Sequence, residues 1–208
     1  MLFTQEKLEA IRNFYATRDR WTEIKNYRTI QEQVGKVKNI FYGDSITKMW
    51  PLHEFFPNHS ILNRGLGGDN VYGLYDRMEG DVFPYQPERV FMMIGINGIE
   101  EDKAQIIACI QALTGMMSEK GIAVYLCSIL PLRYPDNWDR FQYQDKIVEI
   151  NADLSAWAAD NAAGFLDYHS VVKDETGQLA AECATADGTH ITFEAYRRLA
   201  KVVEPYLA

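Results

Sequence analysis

An α/β fold, with a parallel sheet covered by helices on both faces, is what the order of apolar patterns in this 208-residue chain predicts. Two observations lead there. Short apolar runs alternate along the chain with stretches of helical periodicity. The runs at 90–94 and 124–129 are continuous rather than alternating, as strands buried on both faces require. In chain order, Leu8, Ile11 and Tyr15 form the first helical stripe, in an N-terminal helical segment (1–36) expected to pack on the rest. Strands are expected at 39–42, 60–62, 90–94, 124–129 and 165–166. Ser45 is expected to begin a helix behind the first of them. Between the later strands, Ile106, Ile110, Leu113 and Met117 mark one helix, and Ile147, Ile150, Leu154 and Trp157 another. A last helix carries Tyr196, Leu199, Ala200 and Val203 behind Thr192, a suitable N-cap. Parallel strands joined by helical crossovers place a site beyond the carboxyl ends of the strands. The longest irregular stretch, 131–140, follows the fourth strand and would rim the same crevice.

Composition narrows the function. A hydrophobic content of 47% and a charged content of 24% suit a chain that buries a core, and the length suits one domain over residues 1–208. A net charge of −8 with no basic stripe argues against nucleic acid as a partner. No apolar stretch approaches the roughly 18 residues that span a bilayer, so no membrane association is expected. The N-terminus lacks the pattern of a signal peptide, which makes the cytoplasm the expected compartment. Cys109, Cys127 and Cys183 are scattered, suggesting neither a disulfide framework nor a metal site, and no cofactor is called for.

Four short motifs carry chemistry. Gly43-Asp44-Ser45-Ile46 directly follows the first strand and exposes a serine hydroxyl at the crevice. Alone, Ser45 reads equally well as a helix cap; Asp44 reads as a residue that orders the turn. Near the far end, Asp187-Gly188-Thr189-His190 spaces a carboxylate three residues before an imidazole. The carboxylate can then reach Nδ1–H and leave Nε2 to take a proton from Ser45. Three other histidines compete for that role, and His169, after the fifth strand with Asp167 two residues before it, is the serious rival. Behind the second strand, Asn63-Arg64-Gly65-Leu66-Gly67-Gly68-Asp69 lets backbone approach a ligand closely. It fails as a dinucleotide fingerprint, because Asn70 stands where the third glycine belongs. Gly95-Ile96-Asn97-Gly98 follows the third strand. Asn97 can offer its carboxamide NH2 to an oxyanion, although Asn-Gly also favours a plain turn.

Taken together these blocks resemble the SGNH (GDSL-type) hydrolase family, and most closely the branch of the platelet-activating-factor acetylhydrolase catalytic subunits. The resemblance covers about residues 38–200. It implies a three-layer α/β/α, flavodoxin-like sandwich whose five-stranded parallel sheet runs in the order 2-1-3-4-5. It also implies Ser45 as nucleophile and His190 as base, oriented by Asp187. The oxyanion hole it implies is made by the N–H groups of Ser45 and Gly68 and the Asn97 side chain. Ile46 replaces the usual leucine, and Gly98 stands where many members have aspartate. The branch leaves room for a homodimer.

The expected activity is therefore that of a cofactor-free serine esterase hydrolysing short-chain, acetyl-type esters through an acyl-enzyme, with transfer of an acetyl group to a sugar hydroxyl and a non-catalytic binding module as rivals. Trp50 is expected in the core. Tyr134 and Trp138, in the loop after the fourth strand, are candidates for lining an acyl or alcohol pocket.

Overall fold

A computed structural model of the chain describes residues 2–134 and 142–208. Its centre is a five-stranded, wholly parallel sheet of β1 (Asn39–Gly43), β2 (Ile61–Gly65), β3 (Arg89–Met93), β4 (Ala123–Cys127) and β5 (Gly164–Leu166), in the order β2-β1-β3-β4-β5. This is the three-layer α/β/α arrangement and strand order expected.

Alternation along each strand builds the layers. Successive side chains of a strand point to opposite faces. Ile40 and Tyr42, Val90 and Met92, and Val124 and Leu126 thus enter one apolar cluster, while Phe41, Phe91, Met93 and Cys127 enter the other. Because both faces are covered, the two sets together read in sequence as unbroken apolar runs. On the second face, Phe41, Phe91 and Tyr125 stack across three neighbouring strands with ring centroids 4.9 and 5.1 Å apart.

Helices α1 (Gln5–Thr17), α2 (Arg20–Thr29) and α3 (Gln31–Val34) precede the sheet. The expected stripe of Leu8, Ile11 and Tyr15 is the buried face of α1. With α6 (Val71–Asp81), α7 (Lys103–Ser118) and α8 (Gln144–Asn161), α1 and α2 bury their apolar sides in the first cluster. The second cluster is built from α4 (Ser45–Lys48), α5 (Leu52–Phe55), α9 (Tyr168–Val172) and α10 (Phe193–Val203), with Trp50 buried among Phe41, Tyr168 and Tyr196 as expected. Among the described residues no helix is long and apolar enough to cross a membrane.

The expected strands are right in number and order, but β2 lies at 61–65 rather than 60–62. Its last residues, Asn63, Arg64 and Gly65, are polar or small and carry no apolar signal, yet they pair fully with β1. The expected helix behind Ser45 is also only one turn long. The residue before a proline is biased away from helical backbone, and Trp50 precedes Pro51.

Two glycines let that turn sit down on the sheet edge. Gly43, Gly65 and Met93 lie level at the carboxyl ends of their strands. A Cβ on Gly65 would overlap the backbone of Thr47 and Lys48, and one on Gly43 would overlap the Met93 carbonyl and Thr47. Gly65→Ala must therefore push rigid backbone aside and should lower stability by roughly 1–3 kcal/mol or more. Gly115, inside α7, has nothing within 4 Å of a built Cβ. Gly115→Ala should instead raise stability by roughly 0.5–1 kcal/mol. Urea unfolding of both variants measures the contrast; equal midpoints would show that the α4 turn does not bear on Gly65.

Candidate active site

Ser45 occupies the first position of α4, just past the carboxyl end of β1. Asp44 is its N-cap: the carboxylate Oδ1 accepts the Ile46 N–H at 2.9 Å, which orders the turn as expected. Asn63 locks the same turn from β2. Its Nδ2 donates to the carbonyls of Thr47 (2.8 Å) and Trp50 (3.1 Å), and its Oδ1 accepts the Gly65 N–H at 2.9 Å.

The far end of the chain meets Ser45 through a tight loop before α10. An isolated antiparallel bridge, Ala184 to Ile191, closes the loop, and Gly188 turns it with φ +68°. Arg133, after β4, donates its N–H to the Gly188 carbonyl at 2.8 Å. Within the loop, Asp187 Oδ1 accepts the N–H groups of Thr189 and His190, each at 2.9 Å, and the Thr185 hydroxyl at 3.0 Å. Oδ2 faces His190 Nδ1 at 2.5 Å, and His190 Nε2 faces Ser45 Oγ at 2.9 Å. Burial alone would push the Asp187 carboxyl up. The His190 ring, the two backbone N–H groups and Thr185 outweigh it and hold the group well below the usual carboxylate range. An ionised Asp187 favours the tautomer with its proton on Nδ1, which turns the Nε2 lone pair toward the serine hydroxyl. Such a relay can draw a proton from Ser45 and return it to a leaving group.

His169, the rival base, is elsewhere. It sits in α9 with its N–H on Ser128 Oγ at 2.7 Å, its ring largely buried and its Nε2 without a partner. Burial, then the nearby Lys173, lowers its pKa.

The two glycine-bearing motifs flank the serine. Gly68 turns with φ +80°, which glycine adopts freely. Asn97 donates from Nδ2 to the Asp69 carbonyl at 3.0 Å, so the second and third motifs are tied to each other. The positive φ expected of an Asn-Gly turn falls on Gly98 (+85°) and on Gly95 (+133°), not on Asn97. Gly68 and Asn97 both line a cleft of about 510 Å³, whose other wall includes Phe14 and Arg18. A much smaller cavity of about 10 Å³ lies among Ile46, Ile94, Ile96, Ile129 and Leu132, with Asp44 and Thr189 at its border. Each of Asp44, Ile46, Thr189 and Ile96 is the immediate neighbour in sequence of Ser45, His190 or Asn97.

Tyr134 is half exposed and lines a separate hollow beside Thr185 and Gly188, so it reaches the outer side of the Asp187 loop. Trp138 and most of the 131–140 stretch lie outside the described residues. Sequence reasoning missed Arg77, which is 2% exposed in α6. It donates to Asp69 Oδ2 at 2.7 Å, to Asp81 Oδ2 at 3.0 Å and to the Gly43 carbonyl at 2.9 Å. The available signal was an arginine on the apolar face of a helix, four residues before an aspartate. It also missed Tyr15 as more than core: its hydroxyl donates to Asp69 Oδ1 at 2.6 Å.

Comparison with known proteins follows the same lines. The model of the GDSL-like lipase/acylhydrolase family matches residues 41–198. No curated protein matches. Among solved structures, a Streptococcus pneumonia protein provisionally assigned as a platelet activating factor is similar at 24% identity and a TM-score of 0.84, covering 99% of this chain and 100% of its own. A GDSL-like lipase from Bacteroides thetaiotaomicron is 24% identical with a TM-score of 0.80, over 88% of this chain and 96% of its own. An acetylxylan esterase from Geobacillus stearothermophilus is 17% identical with a TM-score of 0.67, over 84% and 95%. At these identities the likeness is one of fold.

Asp44 yields a prediction about pH. Burial, only partly offset by the Ile46 N–H, pushes its carboxyl up to about 7 from 3.8. Between those two values the folded chain holds a proton that the unfolded chain lacks. The contribution of Asp44 to stability is therefore full below the lower value and is lost as pH rises through the upper one. Asp44→Asn keeps an oxygen for the cap and has no charge to bury. Its Tm should exceed that of the wild type near about pH 8, with the advantage shrinking towards about pH 4. A difference in Tm that stays constant between those pH values would show that Asp44 does not titrate there.

Proposed function

Since the chain belongs to the GDSL-like lipase/acylhydrolase family and is a carboxylic ester hydrolase, we propose that it is a serine esterase that cleaves short, acetyl-type esters through an acyl-enzyme. One observation carries this reading: the continuous path from Ser45 Oγ to His190 Nε2 (2.9 Å) and from His190 Nδ1 to Asp187 (2.5 Å).

Ser45 Oγ attacks the ester carbonyl as its proton passes to His190 Nε2, and Asp187 stabilises the imidazolium that forms. The negative charge that develops on the carbonyl oxygen is met by the N–H groups of Ser45 and Gly68 and by the Asn97 carboxamide. His190 then gives its proton to the departing alcohol. Water, deprotonated by His190, attacks the acyl-enzyme and frees the acid and Ser45. No step calls for a cofactor.

A short acyl group is supported by the small apolar cavity that Ile46 and Ile96, the sequence neighbours of Ser45 and Asn97, help to line. At about 10 Å³ it has room for little more than one water-sized group, such as the methyl of an acetyl. The larger cleft past Gly68 and Asn97 is open to solvent and polar, and it suits the alcohol portion. Kinship with the platelet-activating-factor acetylhydrolase branch, drawn first from the motifs, is supported by the likeness to the Streptococcus protein. The acetylxylan esterase neighbour acts on an acetyl ester as well.

Ser45→Ala should lower kcat on the order of 10⁴-fold or more and abolish stoichiometric labelling by a fluorophosphonate. His190→Ala should cost nearly as much, and the double variant little more, because the members act as a unit. His169→Ala should stay close to wild type. If His169→Ala silenced the enzyme while His190→Ala kept most activity, the base would be misassigned.

Acyl-chain preference tests the small cavity. Against a series of aryl esters, kcat/KM should fall roughly tenfold or more from acetyl to hexanoyl. A value that climbed steadily towards palmitoyl would overturn the acetyl reading and leave the mechanism in place.

A further inference from the structure

The backbone of the oxyanion loop is intrinsically permissive. Gly67 and Gly68 are adjacent, and Gly68 has a positive φ, so this backbone has more conformations available to it than any other pair in the crevice. An oxyanion hole is effective only when its donors are already aimed before charge develops. Something must hold Gly67, Gly68 and Asp69 in place.

All three are held from one short stretch of the N-terminal segment, which lies ahead of the residues that the family shares (41–198). Arg20 Nε donates to the Gly67 carbonyl at 3.0 Å. The Phe14 ring packs on Gly68 so closely that a Cβ there would overlap it. The Tyr15 hydroxyl, fully buried, donates to Asp69 Oδ1 at 2.6 Å. Gly73 in α6 clears space for that last contact, since a Cβ on it would overlap both Asp69 Oδ1 and the Tyr15 hydroxyl.

Resting on the reading of Gly68 and Asn97 as oxyanion donors, we infer that Tyr15 is a positioning residue for the reaction, setting both donors through Asp69. The Asp69 side chain, fixed by Tyr15, orients its own peptide unit. The peptide on its N-terminal side leads to Gly68, and its carbonyl holds the Asn97 carboxamide at 3.0 Å. Charge neutralisation does not need the tyrosine. Asp69 keeps the Arg77 guanidinium on Oδ2 and the Asn70 N–H on Oδ1 (3.0 Å) without it. What Tyr15 adds is direction: a second donor on Oδ1 that stops the carboxylate from rotating about its pair with Arg77.

Tyr15→Phe removes one oxygen and leaves the aromatic packing of α1 against Trp21 (5.4 Å between centroids). It should lower kcat about tenfold, with KM within about twofold, because the lost alignment matters only once the oxyanion forms. Installing 4-aminophenylalanine at position 15 restores a donor at the same point and should recover kcat to within about threefold of wild type. It also serves as the test if the phenylalanine variant does not fold: a kcat in the folded amino variant reduced tenfold or more would count against the proposal. Combining Tyr15→Phe with Asn97→Ala should lose less than the product of the two single losses, as for groups acting through one loop. Unchanged kcat in folded Tyr15→Phe, a change confined to KM, or losses that multiply in full would each overturn the role of Tyr15. Asn97→Ala alone separates the two layers. A fall on the order of 10²-fold in kcat keeps the oxyanion reading whatever Tyr15 does, whereas wild-type kcat removes Asn97 from the hole and the Tyr15 proposal with it.

Discussion

A single buried guanidinium ties the crevice together. Arg77 is almost wholly removed from water, and its donors go to Asp69, to Asp81 and to the Gly43 carbonyl. Burying such a charge is costly unless it is paired and hydrogen-bonded, and removing one partner strands the other. The face of the Tyr42 ring, 4.4 Å from the guanidinium carbon, adds a further favourable contact. Geometry follows from that energy. The Gly43 carbonyl lies two residues before Ser45, and Asp69 lies one residue after Gly68. The turn that carries Ser45 and the loop that carries Gly68 are therefore fastened to the same planar group. Asp69 itself is pushed up in pKa by burial, with Arg77 and Tyr15 pulling against it.

Around that clamp, each segment contributes what its local backbone can supply. The sheet brings Gly43, Gly65 and Met93 level, and the absence of side chains on the two glycines lets the one-turn α4 settle on their edge. Asn63 spends its whole carboxamide on holding that turn to β2. The imidazole comes from the other end of the chain because the loop before α10 reaches back across the sheet, held there by Arg133 and by the Ala184 to Ile191 bridge. Within it, the three-residue spacing of Asp187 and His190 allows one carboxylate to cap the backbone with one oxygen and orient the ring with the other.

Much of this was legible without coordinates. Continuous apolar runs at β3 and β4 marked strands covered on both faces, and the stripe of Leu8, Ile11 and Tyr15 marked the buried side of α1. The motifs around Ser45, Gly68, Asn97 and His190 fell at strand ends or just before a helix, where parallel sheets open their crevices. Other features carried no such signal. The last residues of β2 are polar or small, with Asn63 holding the α4 turn, Arg64 buried against the Tyr27 and Tyr85 rings and Gly65 making room for α4, so an apolar pattern misses them. His169 and His190 could not be separated by spacing alone. Their difference lies in burial and in the path of the 185–190 loop. Asn97 offered two roles, and the observed φ values give the turn to its glycine neighbours.

The division has a physical basis. Periodicity and local spacing, which depend on neighbours a few residues apart, already determined the layered α/β fold, the strand-end position of Ser45 and the reach of Asp187 to His190. Contacts between distant parts of the chain had to be decided by the folded chain, because loop closure and packing, not local preference, choose among them. Those contacts include the 145-residue span from Ser45 to His190, the placing of His190 rather than His169 against Ser45, the clamp of Arg77 on two loops at once, and the grip of Phe14, Tyr15 and Arg20 on Gly68 and its neighbours. A buried arginine or tyrosine reads in sequence as one more residue on a helix face. Only the charges and carbonyls that the fold brings against it show what it holds.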